Sequence, residues 1–302
     1  MKLKINILLI FIMIMSLFGC STKQNNEKNI NIAVSIVPEA TFVEAILGDK
    51  GNVTTVIPPG FSPANYQPSP KELQNISNAN LYFTIGVPSE KNILPKIVNN
   101  NTKVISLREA TEKDYPLRYF EKHRHDAHDE NNNDLDKKET DLIADPHIWM
   151  SPKRVISMVK TIEQEIINLD PNNKDYYSTN AENYITKLEN LDNYIKESLT
   201  NSSSKKFIIY HPSLGYFADD YGLTMMAIEH DGKKATIETI TEVVDFAKEN
   251  NISVILYQKE FDSKQAKVIA EEIGGTVEEF GALSKDYIDN IKKIVSILNS
   301  KE

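Results

Sequence analysis

Histidine is the residue type in this chain whose positions most directly suggest chemistry. Three of the six histidines, His147, His211 and His230, stand at the ends of apolar runs or just before a helix start. Ligands of parallel α/β sheets bind beyond such strand ends, and neutral imidazole with carboxylate or amide oxygens suits Zn²⁺. The pattern predicts these three histidines as metal ligands. The alternatives stay open: a hydrogen-bonded turn at His211, a packed loop residue at His147 and a solvated histidine at His230.

The other three histidines fall in a polar segment, residues 121–140. His123, His125 and His128 lie there among acids, asparagines and lysines. Such a composition cannot form a packed core, so the segment is predicted to be a surface loop. Its His-x-His-x-x-His spacing could hold zinc loosely, or the histidines could be incidental.

Cys20, the only cysteine, closes a predicted export signal. Lys2 and Lys4 precede the apolar run 7–15, which is too short to span a bilayer. With Gly19 before it, Cys20 is predicted to be a lipid attachment point, so that residues 1–19 are a signal peptide and 20–29 a tether. A plain secretory signal and an uncleaved anchor are the alternatives. All of them place the rest outside the cytoplasm, and lipid on Cys20 would hold it at the cell membrane.

Short apolar runs alternate with amphipathic stretches along the rest of the chain. This pattern predicts an α/β fold with two lobes, each a mostly parallel sheet flanked by helices, joined by one long helix. The boundaries are 30–169 for the first lobe, 170–200 for the helix and 201–302 for the second. The predicted strands are 32–37, 53–57, 81–85, 104–105, 207–210, 224–228, 253–257 and 276–280.

The long helix is indicated by a cap signal and an apolar stripe. Asp170 is predicted as its N-cap and Pro171 as its first residue. The stripe has three- and four-residue spacing and could mark a bridge between lobes or an ordinary core helix. Its members are Tyr177, Ala181, Tyr184, Leu188, Leu191, Ile195 and Leu199. Ser151-Pro152 predicts a second helix, running to about Asn168.

Charge and length exclude some functions. The chain has 302 residues and a net charge of -9, without clustered Lys and Arg, which argues against nucleic-acid binding. The length allows two domains, and the protein is predicted to be a monomer. A single cysteine excludes intramolecular disulfides.

Three segments resemble one protein family. Val56-Ile-Pro-Pro-Gly with Tyr66-Gln-Pro-Ser-Pro70, Asp145-Pro-His-Ile-Trp-Met-Ser-Pro152 and Tyr210-His-Pro-Ser-Leu-Gly-Tyr-Phe-Ala218 are similar to the metal-specific solute-binding lipoproteins of ABC transporters, the zinc and manganese uptake group. The resemblance implies two α/β lobes joined by a long helix, a metal ion held between them and delivery of that ion to a membrane permease.

The resemblance also implies four ligand positions, and this chain departs from two of them. They fall at Ala64, His147, His211 and Gly281, and alanine and glycine have no donor side chain. The sequence offers replacements in Asn65, Glu229, His230, Gln258, Glu260 and Glu279. The preferred set is His147, His211 and His230 with a carboxylate or water. A nitrogen-rich site favours Zn²⁺ over Mn²⁺, although Mn²⁺ or another divalent ion stays open.

Two other function classes stay open beside a metal receptor. An exported metallohydrolase could use two histidines, a water and Glu260, but no His-Glu-x-x-His or Gly-x-Ser-x-Gly motif is present. The empty positions at Ala64 and Gly281 also fit a surface adhesion protein, or a receptor for a non-metal solute or a metal chelate. The leading prediction is a non-enzymatic receptor for zinc.

Overall fold

The computed structural model describes residues 30–97, 101–120, 143–200, 202, 205–229, 234–261 and 264–300. The strands in this part are β1 (Ile30–Val34), β2 (Gly51–Thr55), β3 (Leu81–Thr84), β4 (Lys103–Ser106), β5 (Tyr119–Phe120), β6 (Ile143–Ala144), β7 (Lys206–Ile209), β8 (Thr224–Ala227), β9 (Val254–Gln258) and β10 (Thr276–Phe280). The helices are α1 (Val37–Leu47), α2 (Pro70–Ile76), α3 (Glu90–Ile97), α4 (Leu107–Glu112), α5 (Pro152–Leu169), α6 (Lys174–Thr200), α7 (Gly215–Tyr221), α8 (Ile237–Glu249), α9 (Lys264–Glu272) and α10 (Tyr287–Asn299).

Two parallel sheets form the framework of the molecule. The first has the order β2-β1-β3-β4 and the second β10-β9-β7-β8, and every adjacent pair in both is parallel. A short antiparallel pair, β5 and β6, stands apart. The prediction of an α/β fold with two mostly parallel sheets is confirmed. We refer to the part before α6 as the N-lobe and to the part after it as the C-lobe.

The central strands are apolar because helices cover both faces of their sheet. All four residues of β3 are buried, as are the last three of β1. Most predicted strands agree with the observed ones to within about two residues. The predicted extension of the first strand to Val37 is wrong, because α1 begins there. Pro38 fits the first turn of a helix, and the carboxylate of Glu39 accepts the backbone N–H of Ile36 at 2.9 Å.

The long helix α6 has 27 residues and follows a 3₁₀ turn at Pro171–Asn173. Asp170 makes no side-chain cap to the helix backbone; its Oδ2 accepts from Asn173 Nδ2 at 2.7 Å and from Tyr177 Oη at 2.8 Å. All seven residues of the predicted stripe are buried. They pack on α1 and α5 of the N-lobe and on α10 of the C-lobe, so α6 belongs to the core of both.

The second predicted helix is α5, which begins at Pro152. Ser151 precedes it without capping its backbone, and its hydroxyl instead donates to Asp220 Oδ2 in α7 at 2.6 Å. The helix start is therefore also a contact between lobes. Within the described ranges, no helix combines the length and apolar character needed to cross a bilayer.

Candidate metal centre

His147 lies at the N-lobe side of the site, between β6 and a 3₁₀ turn at Ile148–Met150. Asp145, two residues earlier, is fully buried, and its Oδ1 accepts from the backbone N of His147 at 2.9 Å and from Nδ1 of its ring at 2.8 Å. Asp145 Oδ2 is 3.5 Å from Arg118 Nε. Gly215 leaves room for this ion pair, because a Cβ there would lie 2.4 Å from Arg118 Nε. The His147 ring is thus fixed through Nδ1.

His211 lies two residues after β7, on the C-lobe side. Its Nδ1 hydrogen-bonds Oε2 of Glu229, a buried residue just beyond β8. The ring stacks on Phe261, with centroids 4.3 Å apart and planes at 19°. Strands β7 and β8 are parallel neighbours, so their ends bring the imidazole and the carboxylate together. His211 is therefore also held through Nδ1.

The two free ring nitrogens face each other. His147 Nε2 and His211 Nε2 are 3.3 Å apart, with ring planes at 76°. An ionised carboxylate only accepts hydrogen bonds, so each Nδ1 donates to its carboxylate, and in a neutral ring with this tautomer Nε2 presents a lone pair. Two nitrogens that each bind one tetrahedral zinc ion at ~2.0–2.1 Å lie about 3.3–3.4 Å apart. The spacing therefore matches one edge of a zinc coordination tetrahedron.

The surroundings of His211 favour its neutral ring. Burial lowers the pKa of His211; the hydrogen bond to Glu229 opposes this effect, and the charge of a protonated His147 would lower the pKa further. A neutral His211 can ligate a metal, whereas a protonated one cannot. Carboxylates behind ligating imidazoles also orient them and raise their basicity.

Both rings line a cleft of about 1380 Å³ between the lobes. Ala64 and Gly86 border it from the N-lobe, and Gln258 and Glu260 from the C-lobe. Four buried polar atoms of lining residues have no hydrogen-bond partner in the described part of the chain: Arg108 Nε, Arg118 Nε, Gln258 Nε2 and Glu260 Oε2. Burial raises the pKa of Glu260, and the backbone N–H groups of Glu260 and Leu283 oppose that rise.

Of the other donors predicted from the sequence, some border the cleft and others do not. Glu229 holds the far side of the His211 ring, while Gln258 and Glu260 border the cleft. Glu279 accepts from Tyr257 Oη at 2.9 Å and is not among the lining residues, and Asn65 is exposed beside Ala64. Among the described residues, no group of three or more His, Cys, Asp or Glu could hold a metal ion.

Several sequence predictions fall on other parts of the chain. His230, Cys20 and the loop histidines His123, His125 and His128 lie outside the described residues, so their predicted roles stay predictions.

The sequence analysis missed the carboxylate of Asp145 as a hydrogen-bond partner of His147. The signal for it was present in the sequence, since Asp-x-His spacing allows such a contact.

Comparison with known protein families shows which family this chain belongs to. The family described as "ZnuA: Zinc-uptake complex component A periplasmic" matches residues 32–301. The chain belongs to the ZnuA family. The match takes in both lobes and the long helix, and the family is one of transport components.

Individual relatives agree with the ZnuA assignment. The high-affinity zinc uptake system protein ZnuA of Bacillus subtilis is 29% identical over 95% of this chain and 93% of its own length. The zinc-binding lipoprotein AdcA of Streptococcus pneumoniae is 28% identical over 90% of this chain but only 53% of its own length, so this chain spans about half of AdcA. A crystal structure of ZnuA superposes with a TM-score of 0.79 at 34% identity, covering 91% of this chain and 100% of that one.

Ala64 and Gly281, the two expected ligand positions without a donor side chain, differ in their surroundings. Ala64 borders the cleft. At Gly281 an added Cβ would meet nothing closer than Ser284 Cβ at 3.5 Å, and its backbone N donates to Asn290 Oδ1 at 3.1 Å. Both positions therefore have room for a side chain.

Proposed function

We propose that this chain is the extracytoplasmic solute-binding component of an ABC importer, capturing Zn²⁺ between its lobes and delivering it to a permease. The observation that supports this most is the pair of Nε2 atoms 3.3 Å apart, each on a ring whose Nδ1 is held by a buried carboxylate. Zinc uptake and zinc binding in the names of its relatives support the choice of metal. His147 and His211 supply two ligands in this proposal, and His230 is a candidate for a third.

The proposal also covers the location of the protein in the cell. Cys20 follows a signal-like segment, and one relative is named a lipoprotein, which supports a lipid anchor on the outer face of the cell membrane. Replacing Cys20 with Ala should move the protein from the membrane fraction to the soluble fraction. We further propose a monomer that divides at residues 169/170 and 200/201 into two lobes and a connecting helix.

Isothermal titration of the purified protein tests the metal site. Wild type should bind one Zn²⁺ in the cleft, and His147→Ala or His211→Ala should weaken that binding by at least about 10-fold, since even the loss of an outer carboxylate costs that much. His128→Ala, the same substitution in the polar loop segment, should retain the high-affinity site. Wild type that binds neither Zn²⁺ nor Mn²⁺ would overturn the proposal.

A further inference from the structure

The two histidines leave the coordination of a zinc ion incomplete. Tetrahedral zinc takes four ligands, and two imidazoles occupy only one edge of the tetrahedron. Ala64 has no donor, and no third His, Cys, Asp or Glu joins the pair among the described residues. Within the described part of the chain, the two imidazoles therefore leave coordination positions open toward the cleft.

The cleft is larger than a hydrated ion requires. Its volume is about 1380 Å³, whereas one water takes up about 30 Å³ and pockets for small organic ligands measure about 300–1000 Å³. Its lining includes three cations, Lys91, Arg108 and Arg118, against three carboxylates, although the whole chain has a net charge of -9. The cleft thus has room for a small organic molecule, and its lining, unlike the chain as a whole, has no excess of negative side-chain charge to repel a carboxylate.

Arg108 is a partly buried lining cation whose Nε has no hydrogen-bond partner among the described residues. Its guanidinium lies directly over Gly86, where a Cβ would come within 2.6 Å of Nη1, and Gly86 adopts φ +93°. Arg118, by contrast, makes two 2.9 Å hydrogen bonds to Asp219. Arg108 makes no hydrogen bond or ion pair within the described residues; burial raises the pKa of the Glu90 carboxyl, and the charge of Arg108 opposes that rise.

A second unpartnered donor borders the same cleft. Gln258 is only 3% exposed, and its Nε2 has no hydrogen-bond partner in the described ranges. A buried amide N–H without a partner costs roughly 1–3 kcal/mol, which a bound acceptor would recover. Arg108 and Gln258 line the cleft from different lobes, so a ligand that accepts from both must span it.

We propose that the cargo is a zinc ion already held by a small carboxylate-bearing chelator, of the amino-acid or citrate class, an inference that rests on the proposed function. His147 and His211 bind the metal, and the chelator fills the open coordination positions. A chelator carboxylate pairs with Arg108, whose planar guanidinium matches it in two-pronged geometry, and a further oxygen accepts from Gln258.

Equilibrium dialysis of the purified protein tests this with ¹⁴C-citrate and ¹⁴C-L-aspartate, the free Zn²⁺ concentration being set equal in all samples with a zinc indicator. One of the two anions should be retained at one per protein, only when zinc is present, and should raise the apparent zinc affinity at least about 10-fold by linkage. Arg108→Gln should abolish this gain, and Arg108→Lys should reduce it, because lysine lacks the planar fork. Lys187→Gln, which removes one positive charge from the exposed side of α6, should keep it.

The outcomes separate this inference from the proposed function. If the protein retains zinc but neither anion, the chelate proposal is overturned, and the protein is a receptor for the bare ion. Retention of neither zinc nor anion overturns the zinc receptor itself. If the anion still raises the zinc affinity of the Arg108→Gln variant, Arg108 does not bind the chelator. Its role is then to balance the charge of Glu90.

Discussion

At the scale of single residues, the site depends on carboxylates that do not touch the metal position. Asp145 and Glu229 each contact one Nδ1 and leave the two Nε2 atoms facing each other at 3.3 Å. This is the spacing that the proposed zinc site requires. Ala64, which borders the same cleft, has no donor side chain.

Restoring a donor at that position should strengthen zinc binding. Ala64→His adds a third imidazole at the border of the cleft, and we expect the affinity for zinc alone to rise at least about 10-fold, measured by titration against a competing chelator. Asn65→His adds the same group one residue further, at an exposed position outside the cleft lining, and should leave the affinity near that of wild type. Equal gains in both variants would contradict a cleft-specific site.

At the scale of elements, the first turn of α1 contains a buried glutamate, Glu39, that is not part of the candidate metal site. Glu39 is fully buried at the third position of the helix; its Oε2 accepts the N–H of Ile36, and its Oε1 has no partner in the described part of the chain. Burial raises the pKa of Glu39 well above its usual value, and the nearby Glu90 adds to the rise. The folded protein therefore binds a proton at this helix end more tightly than the unfolded chain does.

This raised pKa predicts a pH-dependent stability. Because the folded state binds the proton more tightly, the contribution of Glu39 is fully present below its unfolded pKa and is lost as pH rises toward the folded one. Glu39→Gln, which keeps an acceptor without the charge, should raise Tm by at least about 3 °C at pH 7.5 and change it little near pH 4.5. Thermal unfolding followed by circular dichroism measures this.

The control for that measurement is an exposed acid in the first turn of another helix. Glu238→Gln in α8 removes the same charge from a solvated position and should change the free energy of unfolding by no more than about 0.5 kcal/mol. A loss of stability in Glu39→Gln at both pH values would show instead that the ionised carboxylate stabilises α1.

At the scale of the whole molecule, the two lobes share one core. Residues of both sheets, α6 and α10 belong to a single buried cluster. Polar contacts reinforce it: Trp149 Nε1 donates to the carbonyl of Ala282 at 2.9 Å, and Arg154 in α5 donates from Nε to Oδ2 of Asp220 in α7 at 2.7 Å. Arg154 is 4% exposed, so this ion pair is shielded from water.

Removing one charge of the buried pair should loosen the contact between lobes. Asp220→Asn leaves the Arg154 guanidinium buried without its counter-ion, and we expect a loss of about 3 kcal/mol in the free energy of unfolding, measured with urea. Asp219→Asn, the adjacent residue, removes the exposed partner of Arg118 and should cost no more than about 1 kcal/mol. Similar losses in the two variants would contradict a special role for the buried pair.

The sequence by itself determined the local structure and the candidate chemistry. Short apolar runs predicted the strands of both parallel sheets, and apolar positions spaced by three and four residues predicted the stripe of α6, because burial selects residues over a few neighbouring positions. The same patterns misplaced the end of β1 at Val37, where Pro38 and the Glu39 contact start a helix instead. His147 and His211 could be named as ligands from their positions at strand ends and from a family resemblance.

Only the tertiary structure decided how these groups meet. His147 and His211 are 64 residues apart in sequence, and their 3.3 Å approach depends on how α6 and the shared core set one lobe against the other. Glu229 looked like a ligand in the sequence, and the neighbouring strands β7 and β8 place it behind His211 instead. Long-range packing fixes such distances, and no local pattern encodes it.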